Sequence, residues 1–556
     1  MSLRMEILGE RECYGRIEIA FDEDANITHV RVITPSGKEE TLLPFYRQFA
    51  AFTYDGEGLE HTAATGEGRL ACRYTPEECG RFVLEAWRGQ DRLAACEVDI
   101  ARGRAHGYVE VSKKDRRYFA YTDGTPFFWR GINLCYPTPY EVSNGSEFGK
   151  SDGTATMGLR QYSRWLRRCA ENGVNVVRLW LGHTYFTPDT EQLYQLDLLQ
   201  WEKLDRIVSL AREYGIRLKL TLDHFRHFGE AAAPNIFYKA YSDGEVACQS
   251  AEEWLRDGRW ADGWLYKVSE LAKRYAGDPT VCMIELWNEM NGVRTSKREY
   301  LTAWNRSMLP RVKALFPRQL VTNSLSSLDG DWAQDYYRSF CWDIFDVLQV
   351  HRYLDQGAGF KICGGAVIPS ICEAMAFVRS EEKPFLLAET GAVNNRHSGE
   401  FKYYSCDDRG IIFVDCVYTP VFLNSAGCGN IWHWDRRYVE SKNLYKYFAP
   451  LASLTEGVDF PEEQFRAVDL STDDAYVLLL CGRTVSLGFV RNKADSWFST
   501  LRDGHPVGAI ERVTLPLAAT AARLYPIWEE DTASLHIEDG HPVLENVRYG
   551  ALFRLF

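Results

Sequence analysis

The chain has 556 residues, of which 46% are hydrophobic and 25% charged, and this composition is typical of a soluble globular protein. Its length predicts a barrel-sized domain together with smaller domains. The formal net charge is −13, from 64 basic and 77 acidic residues, which argues against a nucleic-acid partner because phosphate binding needs clustered Lys and Arg. The longest apolar run, near residues 477–481, is too short to span a membrane, so we expect no membrane partner.

The cysteines argue against a metal centre built from thiolates. There are 15, an odd number, dispersed from Cys13 to Cys481 without any C-x2-C pair. Such a set predicts free thiols in a reducing compartment. Residues 1–13 carry charges throughout and lack the apolar segment of a signal peptide, so we expect a cytoplasmic location. We predict no metal and no other cofactor.

Residues 1–112 have the pattern of a small antiparallel β domain. Residues 15–21, 28–34 and 82–87 have the character of short strands, turn-forming clusters follow them, and no long helical period occurs. We therefore predict an N-terminal β-sandwich over residues 1–112.

Residues 113–444 alternate short apolar strands with amphipathic helices, which is typical of βα units that close into a barrel. Helical stretches at 159–172 and 204–214 are each followed at once by a glycine, as helix C-termini commonly are. The eight candidate barrel strands are residues 127–133, 174–181, 216–222, 281–287, 319–323, 345–351, 384–389 and 430–434.

Beyond residue 445 the helical period fades and the strand pattern returns. Residues 475–480, 485–489 and 534–537 are predicted strands separated by turns, so residues 445–556 are expected to form a second small β domain. The predicted fold is therefore α/β, a (β/α)8 TIM barrel flanked by N-terminal and C-terminal β-sandwich domains.

Two inserts lengthen the barrel region. Residues 136–157 are rich in Gly, Ser and Thr and follow the first strand, and residues 225–264 follow the third strand and carry Trp254, Trp260 and Trp264. Loops after barrel strands lie on the C-terminal face, where active sites are built. A part in a substrate cleft and simple surface decoration are both open for these inserts.

Two apolar strands end in a glutamate. The strand at 281–287 runs into Asn288 and Glu289, and the strand at 384–388 runs into Glu389. If these are strands four and seven of a barrel, the two carboxyl groups face each other across its mouth. Hydrolysis of a glycosidic bond needs such a pair, one to protonate the leaving oxygen and one to attack or to activate water. Glutamates at loop edges are common, so each one alone leaves a structural role open.

The surrounding residues resemble a known family. Trp287-Asn288-Glu289 on strand four and Glu389 on strand seven are similar to the signature of glycoside hydrolase clan A, and the wider pattern resembles its cellulase-like and mannanase-like, family-five-like members. The resemblance covers about residues 116–440, with its motifs in chain order. Residues 118–126 also resemble the usual junction between a preceding sandwich domain and the first barrel strand.

The resemblance implies a retaining enzyme that cleaves β-linked oligo- or polysaccharides by double displacement. Glu389 would form the glycosyl-enzyme intermediate, and Glu289 would protonate the leaving group and then deprotonate water. The pKa of Glu289 should accordingly be raised by burial and by the neighbouring carboxylate. Met290 follows Glu289 where many cellulases of the family have Pro, which favours mannanase-like relatives.

The resemblance also implies substrate-binding residues. Arg178 looks like the arginine that orients the nucleophile, and His351 with Tyr353 looks like the clan's H-x-Y, whose tyrosine bonds the nucleophile. Both Arg178 and Tyr353 should keep Glu389 ionised. Asn288 is in place to bind the sugar 2-hydroxyl, and His224 ends strand three.

Trp432 and Trp434 occupy the end of strand eight, where the clan keeps a tryptophan that stacks on the sugar. Because side chains alternate along a strand, both rings are expected on one face, where the deeper one could pack in the barrel and the outer one meet the sugar. A core position for both rings also stays open. We favour Trp432 as the stacking residue, with Trp434 close behind.

Two other functions remain open at the level of sequence. One is a metal-dependent barrel hydrolase, and the other is a non-catalytic carbohydrate-binding barrel in which both glutamates are relics. The strand-end residues that suggest a metal site are His183, Asp223, His224, His227, His351 and His433. No recognised ligand spacing links them. The sugar, endo or exo action and the oligomeric state are not encoded in any motif found.

Overall fold

The computed structural model describes residues 3–22, 26–137, 156–181, 185, 186, 188, 190, 192–224, 242–293, 295, 297–397 and 399–556. Most of the first predicted insert, much of the second, and the positions of His183 and His227 lie outside these ranges. No helix within them is long and apolar enough to cross a membrane.

The N-terminal part consists of two four-stranded antiparallel sheets, with strand orders β1-β2-β6-β5 and β4-β3-β7-β8. One apolar cluster draws on both sheets, with Ile17 and Ile19 from one and Val30 and Leu84 from the other. The strands are β1 (Met5–Gly9), β2 (Ile17–Phe21), β3 (His29–Ile33), β4 (Glu39–Leu42), β5 (Phe45–Tyr54), β6 (Glu60–Tyr74), β7 (Gly80–Arg88) and β8 (Asp91–Ile100).

The central part holds the predicted βα units. A small antiparallel sheet of β9 (Val109–Val111), β10 (Phe119–Tyr121) and β11 (Pro126–Phe127) leads into them. A five-stranded parallel sheet follows, and its strands in order are β12 (Gly131–Asn133), β13 (Val176–Trp180), β14 (Arg217–Thr221), β17 (Val281–Glu285) and β18 (Leu320–Thr322). The hairpin β15 (Ser242–Asp243) and β16 (Val246–Ala247) interrupts this series, and β19 (Leu348–Leu354) pairs in parallel with β20 (Phe385–Ala392).

Backbone contacts join these two parallel sheets into a ring. The amide of Asp346 donates to the carbonyl of Val321 over 2.9 Å, which links the segment before β19 to β18. Parallel bridges pair Thr390 with Ile431 and Trp129 with Gly427, which returns the chain from β20 to the start of β12. The eighth predicted strand, 430–434, pairs with β20 over residues 430–432 only, where the amides of Asn430 and Trp432 donate to the carbonyls of Leu387 and Thr390. Its backbone then turns left-handed at His433, with φ of 56°, so it does not form a full regular strand.

The helices between the strands end as their sequences predict. Asp197 caps the second helix by accepting from the amide of Leu199 at 3.0 Å, and positive φ values at Gly173 and Gly215 end the first two helices. The helices of this part are α1 (Gly158–Glu171), α2 (Leu198–Glu213), α3 (Ala251–Arg256), α4 (Gly258–Tyr275), α5 (Arg298–Leu315), α6 (Asp331–Ser339), α7 (Val367–Val378) and α8 (Ile411–Tyr418).

The C-terminal part begins with helices where the sequence predicts only strands. The helices α9 (Phe448–Thr455) and α10 (Phe460–Glu463) precede two antiparallel sheets of order β21-β22-β23-β28-β25 and β24-β27-β26. Their strands are β21 (Arg466–Asp469), β22 (Ala475–Cys481), β23 (Ser486–Asn492), β24 (Ile510–Thr514), β25 (Ala522–Pro526), β26 (Ser534–Glu538), β27 (His541–Val547) and β28 (Gly550–Leu555).

Buried ion pairs fix the N-terminal sheets against the central part. Arg73 on β6 donates from Nη1 to Oδ1 of Asp205 on α2 over 2.6 Å, and from Nη2 to Oε2 of Glu18 over 3.1 Å. Arg47 on β5 bonds Glu202 of α2 at 3.0 Å. The arginines of β5 and β6 and the carboxylates of α2 are mostly buried, so the stability of this contact depends on the ion pairs between them.

Candidate active site

The interior of the ring is polar at the carboxyl ends of its strands. Arg178 on β13, Lys219 on β14, Glu285 on β17 and His351 on β19 are fully buried, and each one hydrogen-bonds or pairs with an inward-facing group of another strand. Barrel interiors are usually filled with apolar layers. Buried charges that face one another at the end where barrel active sites lie mark this region as the candidate site.

Glu289 and Glu389 meet at this end. One carboxylate oxygen of each lies within 4.8 Å of the other and of a ring nitrogen of His351. Glu389 is itself part of β20 and is nearly fully buried, whereas the side chain of Glu289 is 18% exposed. The two carboxyl groups predicted from separate strand ends are therefore brought together.

Glu389 is held by two donors. Arg178 binds its Oε1 through Nη1, and the hydroxyl of Tyr353 donates to its Oε2 over 2.7 Å. Burial raises the pKa of the Glu389 carboxyl above its ordinary value, while Arg178 and Tyr353 act to lower it. The predicted contacts of Arg178 and Tyr353 are thus present, but burial has the larger effect on the pKa of Glu389.

His351 lies between the two carboxyl groups. Its Nδ1 is 2.9 Å from Oε1 of Glu289 and 3.5 Å from Oε2 of Glu389. Burial, together with the charge of Arg178, lowers the pKa of His351 well below its usual value, so the ring is neutral. Nε2 has no hydrogen-bond partner within the described ranges, and an unpaired buried N–H is costly, so we place the single ring proton on Nδ1.

The backbone at Glu289 is strained and supported. Glu289 has φ of 48°, in the left-handed region that non-glycine residues rarely adopt. Ser324 holds both sides of this turn, since its Oγ accepts from the amide of Glu289 over 2.8 Å and its carbonyl accepts from the amide of Met290 over 3.0 Å. A proline at position 290 would have no N–H for the second bond, which Met290 supplies.

Asn288 connects Arg178 to His224. Its Oδ1 accepts from Nη2 of Arg178 over 2.6 Å, and its Nδ2 donates to Nδ1 of His224 over 2.9 Å. The ring of His224 packs on Trp180, with ring centroids 4.1 Å apart. Asn288 is therefore fixed in rotation beside the catalytic pair, as a group that binds one sugar hydroxyl must be.

The two predicted stacking tryptophans differ in their surroundings. Trp432 packs beside Trp180 at 5.1 Å between ring centroids, next to the site. Trp434 is fully buried and packs against Tyr136 and Trp165, at 5.1 and 6.5 Å. Because the backbone is left-handed at His433, regular strand alternation does not place these rings, and both belong to the same hydrophobic cluster, with Trp432 4% exposed.

Comparisons with known proteins agree with this geometry. The family model for cellulase, glycosyl hydrolase family 5, matches residues 123–433, more than half of the chain. The chain belongs to glycosyl hydrolase family 5. That family's fold is the (β/α)8 barrel, which agrees with the predicted fold of the central part.

Individual relatives are distant. A mannan endo-1,4-beta-mannosidase 2 of Oryza sativa subsp. japonica is 24% identical over 285 residues, which span 46% of this chain and 60% of that protein. A structure from Bacteroides vulgatus ATCC 8482 that carries a provisional glycoside hydrolase assignment is 13% identical, with a TM-score of 0.56. The alignment with it covers 98% of this chain and 99% of that one, so the likeness in fold extends beyond the family-5 barrel.

Several residues of the site are not part of the family motifs and were not predicted from the sequence. Glu285 and Lys219 lie beside Arg178, and Gln349 bonds both, at 2.8 Å to Glu285 and 2.6 Å to Lys219. The signal available in the sequence was a charged residue inside an otherwise apolar strand, since buried charge is rare and informative. Trp180, which separates His224 from Trp432, gave no signal beyond its place at the end of β13.

Of the residues suggested for a metal site, Asp223 has other partners. The carboxylate of Asp223 accepts from the indole of Trp264 over 3.1 Å and lies 3.4 Å from Nζ of Lys267. His351 does lie with Glu289 and Glu389 in a cluster of suitable ligand atoms. The guanidinium of Arg178 already supplies positive charge to Glu389 there, and a divalent cation would have to displace it.

Proposed function

We propose that the protein is a retaining glycosidase that hydrolyses β-linked oligo- or polysaccharides by double displacement. The observation that carries the proposal is the separation of Glu289 and Glu389, whose carboxylate oxygens approach within 4.8 Å. Retaining enzymes have carboxyl groups about 5–5.5 Å apart, whereas inverting enzymes leave about 6.5–9.5 Å for a water molecule. The site geometry supports the shorter class.

Each residue then has a distinct role. Glu389, held by Arg178 and Tyr353, attacks the anomeric carbon and forms the glycosyl-enzyme intermediate. Glu289, which is partly exposed and beside neutral His351, protonates the leaving oxygen and then takes a proton from water. Asn288 binds the sugar 2-hydroxyl, and Trp432 covers the apolar face of the sugar.

We propose that the substrate is a β-1,4-linked polysaccharide of the mannan type rather than of the cellulose type. The rice relative is described as a mannan endo-1,4-beta-mannosidase, and Met290 stands where many cellulases have proline.

We further propose three domains, residues 1–112, 113–444 and 445–556, with a β-sandwich at each end. All 15 cysteines are free thiols, which supports our proposal of a reducing, cytoplasmic location.

The test is a substrate panel with stereochemical readout. Wild-type protein is incubated with aryl β-mannosides, aryl β-glucosides, β-1,4-manno-oligosaccharides and β-1,4-cello-oligosaccharides, and the first anomer released is identified by proton NMR. We expect a β product and preference for the manno series, and the double variant Glu289→Ala/Glu389→Ala serves as control. Release of the α anomer first would exclude retention, and preference for the gluco series would exclude the mannan assignment alone.

A further inference from the structure

Lys219 is a buried cation that the proposed mechanism does not use. It lies on β14 with no solvent exposure, and its Nζ is 2.6 Å from Oε1 of Gln349 and 3.4 Å from Oε2 of Glu285. A buried ammonium group is costly unless it is paired. Lys219 lies opposite Arg178 in the strand register, and Arg178 binds Glu389, so a role for Lys219 beyond packing follows from its position.

Arg178 is shared between two carboxylates. Its Nε donates to Oε2 of Glu285 over 2.7 Å, and its Nη1 binds Glu389 on the opposite side. Glu285 would compete with Glu389 for this one guanidinium if nothing else neutralised it. Among the residues that the structure describes, the only other cation paired with Glu285 is Lys219.

We propose that Lys219 is a positioning residue for the nucleophile, which neutralises Glu285 so that the charge of Arg178 acts on Glu389. This inference rests on the proposed glycosidase function, because it concerns the ionisation of that nucleophile. Two cations and two carboxylates then form a balanced set, Lys219–Glu285–Arg178–Glu389. When Glu389 becomes esterified, one net positive charge remains, and this favours return of the carboxylate as the leaving group in the second step.

The protonation states support this arrangement. Burial raises the pKa of Glu285 but Arg178 and Lys219 outweigh it, and they hold that pKa well below the usual range. Burial lowers the pKa of Lys219 to about 8, and Glu285 opposes this shift, so the ammonium form prevails at neutral pH. The titratable and charged groups that face Lys219 or its partners from the packed strands are Arg178, Glu285, Glu389, neutral His351 and the thiols of Cys135 and Cys282.

The experiment compares Lys219→Met, Glu285→Gln and the double variant with the wild type. The acid limb of the kcat/KM profile, measured with an activated aryl glycoside, reports the ionisation of Glu389 in the free enzyme. We expect Lys219→Met to move this limb up by about one pH unit, since the remaining set is one charge more negative. Glu285→Gln should move the acid limb to lower pH, because the set then carries one negative charge fewer. The double variant should return the acid limb to within roughly 0.3 pH unit of the wild-type position.

A purely structural role for Lys219 gives a different pattern. Both single variants would then lose rate at every pH with an unmoved acid limb, and the double variant would be no better than either, which would overturn the proposal. If circular dichroism shows that Lys219→Met does not fold, the test falls to Glu285→Gln. An acid limb of the kcat/KM profile that does not move down in Glu285→Gln would then overturn the proposal.

Failure of the proposed function is separable from failure of this inference. Wild-type protein inactive on every glycoside refutes the glycosidase, and the pKa of Glu389 is then read by carbon-13 NMR of glutamate-labelled protein, with Glu389→Gln to assign the signal. An unchanged Glu389 pKa in Lys219→Met and Glu285→Gln would refute the positioning role whatever the activity.

Discussion

The hydroxyl of Tyr353 donates to Oε2 of Glu389 over 2.7 Å, and this bond opposes the effect of burial on the carboxyl group. In the proposed mechanism Glu389 must be ionised to attack, so activity should rise as pH rises through its pKa. Burial raises that pKa, and the tyrosine lowers it by stabilising the anion. The hydrogen bond thus contributes, with burial and Arg178, to where the acid limb of the pH profile falls.

Tyr353→Phe should therefore move the acid limb of kcat/KM to higher pH, by about one unit, because a hydrogen bond to a charged group is worth roughly 1.5–3 kcal/mol. The basic limb should stay in place. Profiles of wild type and variant, recorded with one aryl glycoside at constant ionic strength, check this. An acid limb that stays still or moves down would contradict the role given to Tyr353.

Glu389→Ala should abolish hydrolysis while the fold remains, because Arg178 stays paired with Glu285 when the Glu389 carboxylate is removed. Azide enters the space left by the carboxylate and should restore some turnover, with a glycosyl azide of inverted configuration as product. Glu511→Ala removes an exposed carboxyl group of the C-terminal part and is the matched control. Near-normal hydrolysis by Glu389→Ala would refute the nucleophile assignment.

Glu289→Ala should slow substrates with poor leaving groups far more than activated aryl glycosides. An activated phenol departs with little protonation, so only the second step of such a substrate suffers. The measurement is kcat/KM over a series of aryl glycosides that differ in phenol pKa. A loss of equal size for every leaving group would be inconsistent with an acid/base role.

Trp432→Ala should weaken transition-state binding by about 1–3 kcal/mol, by analogy with other losses of ring stacking, and because the ring is only 4% exposed it should also lower the free energy of unfolding. Trp434→Ala should lower the free energy of unfolding by about 3–5 kcal/mol, since that ring is fully buried. Trp332, which is 58% exposed, is the control for removal of a surface indole. If kcat/KM of Trp432→Ala is within two-fold of the wild type, the sugar lies on another surface.

Arg73→Ala should destabilise the protein by about 3–5 kcal/mol, because it leaves the carboxylates of Asp205 and Glu18 buried with one cation fewer. Arg81→Ala, which removes exposed pairs with Glu97 and Asp99, should cost less than about 1 kcal/mol. Denaturant unfolding of both variants gives the comparison. Equal effects would mean that the buried pairs do not hold the N-terminal sheets in place.

The sequence by itself determined most of the barrel strands and the ends of the first two helices, because these depend on neighbouring residues in the chain. Seven of the eight predicted barrel strands contain a regular strand, since an apolar run between turn residues is a local signal, and the first two helices end at Gly173 and Gly215 as predicted. The two strand-end glutamates could be named because a family motif fixes their place along the chain. The end of the barrel strand at 430–434 was not predictable, since the left-handed turn at His433 follows from packing around it.

Only the tertiary structure decided which charged side chains form ion pairs with one another. Lys219, Glu285 and Arg178 stand on three different strands, and period-two alternation gives the face of each one but not its partner. The three tryptophans of the second insert were open to a role in the cleft, yet Trp254, Trp260 and Trp264 are fully buried. Closing the ring sets the distances between residues remote in the chain, and the strength of a buried ion pair or a ring contact depends on those distances.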